Sequence, residues 1–144
     1  SDAIAALLTG SPLKTAVLSK QPGDASALKM VFAAFSKGSA ALTAEILNVA
    51  EQYGVREQLN EAIGQQTAGQ WQRTLAGTAS KAWRFKGEMQ EIAETFEAVG
   101  AEPGFHQAAA AVYQKLSAHK DWTTKPELSS LLASLAKAKS HAPD

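Results

Sequence analysis

A long run of helical periodicity between Asp24 and Gly54 constrains the fold more than any other feature of the 144-residue chain. Large apolar side chains recur along it at spacings of three and four residues: Leu28, Val31, Phe32, Phe35, Leu42, Ile46, Val49, Ala50 and Tyr53. Such spacing places them on one face of an α-helix. Asp24 is a candidate N-cap, and Gly54 followed by Val55 is a typical C-terminal signal. We therefore predict one helix across this whole segment.

The predicted helix is longer than the diameter of a compact globule of this chain length. About 30 residues span roughly 45 Å in an α-helix, whereas a globule of this chain length has a diameter of roughly 37 Å. Such a helix must protrude, bend, or be covered by another chain or domain. We predict burial against a partner and expect a homodimer.

The rest of the chain is also patterned for helices. Helical periodicity recurs in four further segments, residues 55–63, 80–99, 105–116 and 128–135. Residues 64–78 are ambiguous because three glycines surround the apolar positions. The one plausible strand, residues 15–18, is too short and isolated to form a sheet by itself. We predict an all-α fold, a helical bundle around one long central helix.

Composition excludes several classes of function. Fourteen basic side chains balance fourteen acidic ones, so no overall field attracts nucleic acid or an anionic membrane. No apolar run approaches the roughly 20 uncharged residues typical of a membrane span. The chain has no cysteine, which fits a reducing compartment. We expect a cytoplasmic protein that binds neither nucleic acid nor a membrane.

Generic catalytic and cofactor motifs are missing. The three histidines lie far apart in sequence without metal-ligand spacing, so we expect no metal site. G-x-S-x-G and the P-loop are absent. No G-x-G-x-x-G follows a strand and opens a helix, so the usual cradle for a dinucleotide pyrophosphate is absent. We expect no cofactor-binding residues in this chain.

Lys29 lies in the first turns of the long helix, on a strip of small side chains. On a helical wheel its neighbours on that strip are Ser26, Ala33, Ser36, Ala40 and Thr43. In one interpretation the small side chains let a ligand approach the amine, which then transfers a proton. In the other they let a second helix pack closely, while Lys29 extends to solvent. The spacing alone leaves both open.

Two further candidate sites, one of two residues and one of a single residue, each have a functional and a structural interpretation. Arg84 and Glu88, four residues apart on one predicted helix, either orient a substrate carboxylate or form a surface ion pair worth about 0.5 kcal/mol or less. His106, near a predicted helix start, either touches substrate, or faces solvent or caps the helix.

Three segments in order carry a resemblance to a known family. They comprise residues 23–30 with 37–38, residues 82–85 with 87–89 and 91–93, and residues 104–106 with 108–110 and 112–113. Over roughly residues 13–116 the chain resembles the C-terminal helical domain of phosphogluconate dehydrogenase-like proteins, within the β-hydroxyacid dehydrogenase superfamily.

The resemblance implies roles for individual residues. Lys29 matches the general acid/base lysine in the pattern G-x-G-x-x-x-K-x-x-x-N, and Gly23 matches its first glycine. Ala25 replaces the second glycine, and Ala33 replaces the asparagine that would bind substrate. Together with the positions considered above, the candidate substrate-binding residues are Ser26, Ala33, Arg84, Glu88 and His106.

The resemblance also implies a domain organisation. Residues 1–20 would be the last helix and strand of a preceding Rossmann nucleotide-binding domain, and residues 21–144 a substrate-binding and dimerisation domain. The parent would use NAD or NADP to oxidise a small hydroxy acid, and we expect no turnover from this chain alone. The alternative is a non-catalytic helical module for dimerisation or interaction.

Overall fold

A computed structural model describes residues 23–120, 124 and 126–136. Within these residues the chain forms α-helices and a 3-10 turn, without strands. The helices are α1 (Asp24–Gln52), α2 (Arg56–Ile63), α3 (Gln65–Ala79), α4 (Ala82–Ala98), α5 (Gly104–Leu116) and α6 (Leu128–Ala136), with the 3-10 turn Ser117–His119 after α5. The all-α prediction is confirmed. The predicted remnant of a nucleotide-binding domain, residues 1–20, lies outside the described residues.

The ends of α1 agree with the predicted segment, apart from the cap. The N-cap residue is Gly23, with φ 103°, and Asp24 is the first helical residue rather than the cap. The carboxylate of Asp24 therefore contributes through its charge at the positive end of the helix dipole. At the other end Gly54 has φ 68°, and the Val55 N–H donates to the Ala50 carbonyl over 2.9 Å. The predicted glycine stop is confirmed.

The ambiguous segment, residues 64–78, is helical. Gly64 lies just before α3, with φ 83°, so the glycine ends one helix and begins the next. Ala68, Leu75 and Ala79 are the buried residues of α3. They recur at spacings of seven and four and therefore lie on one face of the helix. Packing of this face against the bundle compensates for the low helix propensity of the remaining glycines.

Helix α1 is the centre of the bundle and packs against each of the other helices. The surface that does so, called the inner face below, is built mainly from small residues: Ala34, Ala40, Ala41, Ala44, Leu47, Asn48 and Ala50. Small side chains let the other helices approach closely and bury larger residues of their own against α1. The largest fully buried side chains include Leu75, Met89, Ile92 and Tyr113.

The large apolar side chains of α1 lie on the opposite side. This outer stripe comprises Leu28, Val31, Phe32, Phe35, Leu42, Ile46, Val49 and Tyr53. Phe32 is 68% exposed, Phe35 71% and Tyr53 80%. Of the positions in the predicted stripe, Ala50 belongs to the inner face. The outer stripe is therefore not the surface that holds the described bundle together.

Helix α1 is also long and apolar enough to cross a membrane, contrary to the expectation from residue counting. Its most apolar 18-residue window has a mean hydropathy of 1.3 and is 28% buried in the bundle. The core helix of a soluble protein meets the same criteria. The finding concerns the described part of the chain.

Candidate functional site

The structure places the predicted catalytic lysine on the surface of α1. Lys29 and Ser26 are exposed, whereas Ala33 is partly buried and packs against the hydrophobic core. Ala40, on the same strip, is buried. Close helix packing therefore accounts for the alanines of the strip, while the Lys29 amine remains accessible at its N-terminal end.

Lys37, two turns further along α1, joins three helices. Its ammonium group forms an ion pair with Glu88 of α4 and lies 4.8 Å from the centroid of the Phe85 ring. Its backbone carbonyl accepts a hydrogen bond from the Tyr113 hydroxyl of α5 over 2.7 Å. The Lys37 side chain is 25% exposed, so the amine is only partly hydrated.

Positive charge is concentrated around Lys37. Burial lowers the pKa of Lys37, and the nearby charges of Lys29 and Arg84 lower it further. These three cations and the Glu88 carboxylate are called the cationic cluster below. Because one carboxylate faces three cations, the cluster keeps an excess of positive charge. Such a site favours a carboxylate or phosphate group on a ligand.

Tyr113 fixes the geometry beneath the cluster. Its side chain is fully buried, and burial raises the pKa of the Tyr113 phenol. The hydroxyl therefore stays protonated and donates to the Lys37 carbonyl. The Phe85 and Tyr113 rings meet edge to face, with centroids 5.3 Å apart and an interplanar angle of 73°. This contact holds α4 and α5 in register beneath Lys37.

Arg84 and Glu88, considered above as an ion pair with each other, each contact a different residue. Glu88 pairs with Lys37, while the Arg84 guanidinium lies 5.9 Å from the centroid of the Trp83 ring. Arg84 is exposed and Glu88 is partly buried. Arg84 therefore remains available to a ligand, whereas the Glu88 carboxylate is already engaged.

His106 is neither solvent-facing nor a helix cap. It is 8% exposed, its ring centroid lies 4.5 Å from that of Phe96, and no side chain caps α5. The ring packs beside Gly38 of α1, where a Cβ would lie 3.6 Å from His106 Nε2, at ordinary van der Waals distance. The buried Nδ1 atom has no hydrogen-bond partner among the residues that the structure describes.

A cavity of about 310 Å³ lies beside His106, between α1 and α5. Its lining is mostly apolar and contains none of the four residues of the cationic cluster. The predicted site residues therefore divide into two groups. Lys29, Arg84 and Glu88 surround Lys37, while His106 faces a separate apolar cavity.

Sequence reasoning missed Lys37, which it did not select as a site residue. A usable signal was present. Ala34 and Ala41 lie three residues before and four residues after Lys37, so all three share one helix face. A single charge among small, packable residues indicates a cation that faces neighbouring helices.

The described residues do not fit a metal or a dinucleotide. Among them, no three histidines or carboxylates lie close enough together to hold a metal ion. A dinucleotide pyrophosphate is usually held where a strand turns into a helix, and the described part of the chain contains no strand. NAD or NADP would therefore require residues from elsewhere.

By fold and site, the described chain is an all-α domain with a cationic cluster that includes an accessible lysine, Lys29. Residues 50–116 match the model of a family described as a domain of unknown function, DUF1932. The match spans α2 to α5 and includes Arg84, Glu88 and His106, but it does not reach Lys29 or Lys37. No curated protein and no solved structure matches the chain.

Proposed function

We propose that this chain is the C-terminal substrate-binding and dimerisation domain of an NAD(P)-dependent β-hydroxyacid dehydrogenase of the phosphogluconate dehydrogenase-like kind. The DUF1932 match supports the proposal, because that domain is known as the C-terminal domain of NAD-binding 6-phosphogluconate-dehydrogenase-like proteins. The observation that carries it is the cationic cluster around Lys37, which includes Lys29, the lysine that the resemblance assigns to proton transfer.

The cluster suits a hydroxy acid because such a substrate carries an anionic group beside its hydroxyl. Arg84 is exposed and Lys37 is partly hydrated, so both can attract the substrate carboxylate. The Lys29 amine is accessible and exchanges the proton of the substrate hydroxyl as general acid and base. Glu88 and Tyr113 are positioning residues that hold Lys37 in place.

The redox step requires a nicotinamide cofactor, which supplies the chemistry of hydride transfer. In this proposal a preceding nucleotide-binding domain holds that cofactor, since the residues described above have no site for it. This domain contributes substrate binding, proton transfer and the contact between subunits. The proposal places the protein in the cytoplasm.

A non-catalytic helical module is the second candidate. The replacement of the pattern's asparagine by Ala33 favours it, because the substituted site loses one hydrogen bond to substrate. The exposure of Lys29 also fits a surface residue without chemistry. The two candidates differ in what happens when Lys29 is replaced.

The first experiment reads the gene ahead of Ser1. We expect a βαβ unit with a glycine fingerprint for NAD(P), and its absence overturns the dehydrogenase proposal. The second screens the protein from the complete gene against small hydroxy acids with NAD and NADP. Titration calorimetry on the 144-residue chain is the companion test, in which tight NAD(P) binding would contradict the division of labour.

Variants of the active protein then separate the candidates. Lys29→Met should lower kcat by about 100-fold or more, the usual contribution of a positioned acid/base. Arg84→Met should raise KM by roughly 10-fold with a smaller change in kcat, because it removes charge that binds the ground state. Lys81→Met, at an exposed lysine without an ion pair among the described residues, is the matched control. Unchanged turnover in Lys29→Met would favour the non-catalytic module.

A further inference from the structure

The outer stripe has the repeat of a coiled-coil seam. Seven of its eight positions, all but Val31, form two interleaved series with a period of seven residues, and Ser39 completes the second: Leu28, Phe35, Leu42 and Val49, and Phe32, Ser39, Ile46 and Tyr53. A seven-residue repeat keeps one narrow face turned toward a partner helix along the whole length. The described bundle leaves this face uncovered, since Phe35 is 71% exposed and Leu42 61%.

The stripe is complementary to itself when a second copy runs antiparallel. With the two-fold axis between Ala40 and Ala41, each position of one series faces a position of the other. The facing pairs are Leu28 with Tyr53, Phe32 with Val49, Phe35 with Ile46, and Ser39 with Leu42. This register covers both ends of the stripe, as an isologous two-fold contact requires.

An apolar cavity lies where this register needs one. It has a volume of about 380 Å³, and its lining includes Ile46, Val49, Val55 and Leu59 from α1, α2 and the turn between them. Ile46 and Val49 are the residues opposite the phenylalanines of the antiparallel copy. A cavity of about 150 Å³ is enough to hold benzene, so this cavity has room for an aromatic ring.

The exposed area matches the requirement of a stable dimer. A large apolar or aromatic side chain contributes roughly 150–200 Å² when fully exposed. Weighted by their exposed fractions, the outer-stripe side chains expose roughly 700 Å² per copy, which is the most that this contact can withdraw from water and is close to the roughly 800 Å² per partner of a standard interface. Between Met30 and Ala44 the only charge on α1 is Lys37, which pairs with Glu88. No like charges therefore oppose each other at the centre of the contact.

We propose that two copies of this chain associate through antiparallel α1 helices, and that Phe32 and Phe35 of each copy enter the cavity beside Val55 of the other. The inference rests on the dimerisation part of the proposed function and specifies its surface. It does not depend on the chemistry at Lys29. A monomeric enzyme that needs Lys29 would overturn this interface alone, whereas a dimer without activity would leave it intact.

The mass of the assembly and the distance between two spin labels test the proposal together. Analytical ultracentrifugation of the 144-residue chain at tens of micromolar should show a dimer. Because the chain has no cysteine, Gln52→Cys carries a single spin label. The two labels should lie about 35 Å apart across the antiparallel pair. A monomer overturns the proposal, and so does a separation of about 10–15 Å, which a parallel pair would give.

Variants locate the contact. Phe35→Asp should weaken the dimer by about 30-fold or more, the threshold of an interface hot spot. Val55→Asp should weaken it about 10-fold, because it places a charge in the cavity that the phenylalanines fill, while aspartate remains a favoured residue just before α2. Val99→Asp, at an 81% exposed valine off the stripe, is the matched control and should leave the dimer unchanged. Circular dichroism checks that each variant keeps its helices.

Two further outcomes would overturn the proposal. If Val55→Asp leaves a Phe35-dependent dimer intact, the phenylalanines do not enter the cavity. If the chain sediments with neutral phosphatidylcholine vesicles and Phe35→Asp abolishes this, the outer stripe faces lipid rather than a second copy.

Discussion

The inner and outer faces of α1 show two uses of apolar residues on one helix. The inner face is lined with alanines and is buried, whereas the outer stripe holds phenylalanines and leucines and is exposed. The hydrophobic effect per area is the same on both faces. What distinguishes them is side-chain size. Small residues let five other helices approach α1 and bury their own large side chains against it.

This contrast explains why the outer stripe, which holds the larger apolar side chains of α1, is not part of the described core. The core receives its volume from α3 to α6, through side chains such as Leu75, Met89 and Tyr113. Helix α1 supplies the surface on which they pack. The outer stripe is then free for contacts that the described chain does not make within itself.

The largest expected effect compares two leucines of α1. Leu47 is fully buried on the inner face and Leu42 is 61% exposed on the outer stripe. Leu47→Ala should lower the free energy of unfolding by about 3 kcal/mol, because it removes a packed side chain and leaves a cavity. Leu42→Ala should change it by about 0.5 kcal/mol or less. Urea denaturation measures both.

The comparison is made in a Phe35→Asp background, so that loss of a dimer contact does not contribute to the Leu42 value. Equal losses at the two positions would show that the described chain uses both faces of α1. The contrast drawn between them would then be wrong.

Two tyrosines extend the comparison, with an expected difference of about 1 kcal/mol in the free energy of unfolding. Tyr113 is fully buried and donates its hydroxyl to the Lys37 carbonyl on α1, while Tyr53 is 80% exposed at the end of the outer stripe. Tyr113→Phe should cost about 1 kcal/mol, the net value of one buried hydrogen bond. Tyr53→Phe should be neutral in the monomer. Thermal unfolding of both variants checks this, and a neutral Tyr113→Phe would contradict the anchoring role of the hydroxyl.

Much of the fold followed from local sequence patterns. The apolar period over residues 24–54 predicted α1, and Gly54 predicted its end. The choice of inner face did not follow, because hydrophobic periodicity ranks residues by size and polarity and points to the phenylalanines. Which face packs depends on the shapes of helices distant in sequence. The alanine positions carried that information only in combination with those partners.

The candidate site was less predictable for a similar reason. Lys29, Arg84 and Glu88 were selected from the sequence, and the structure brings them around Lys37. Lys37 itself was not selected, since the contact with Glu88 joins residues 51 apart in sequence. Such a pairing depends on how α4 crosses α1, which no local pattern specifies.

A pH effect of less than about 1 kcal/mol is expected from His119, which lies in the 3-10 turn before α6. Its Nε2 atom lies 2.7 Å from Ser134 Oγ, and Ser134 donates its own hydroxyl to the Ser130 carbonyl over 3.0 Å. An imidazole Nε2–H that donates to Ser134 satisfies both contacts, since the Ser134 hydroxyl then donates to Ser130. The contact ties the turn to α6, one of the helices that pack against α1.

Burial lowers the pKa of His119, so the unfolded chain takes up its proton at a higher pH than the folded chain. The His119 contribution is fully present above pH 6.5 and is lost as the pH falls through the folded pKa. The urea midpoint should therefore drop between pH 7.5 and 5, and His119→Gln should remove part of that drop. The same drop in His119→Gln and in the unsubstituted chain would exclude His119 as its source.

The smallest effect compares two ion pairs that α1 makes with different helices. Lys37 pairs with Glu88 of α4, and Lys115 of α5 pairs with Glu45 over 3.4 Å. All four side chains are partly exposed, between 25% and 39%, so each pair should contribute about 1 kcal/mol or less. Double-mutant cycles with Met for lysine and Gln for glutamate measure both coupling energies.

The two ion pairs should also differ in how the cost of replacing their lysines depends on salt concentration. Positive neighbours surround Lys37, so Lys37→Met also relieves repulsion from Lys29 and Arg84. Its cost should therefore be smaller than that of Lys115→Met at low salt, and the difference should shrink at 1 M salt as the repulsion is screened. A larger cost for Lys37→Met at low salt would mean that the ion pair with Glu88 outweighs the repulsion. The cluster would then be a structural clamp rather than a site with positive charge available to an anion.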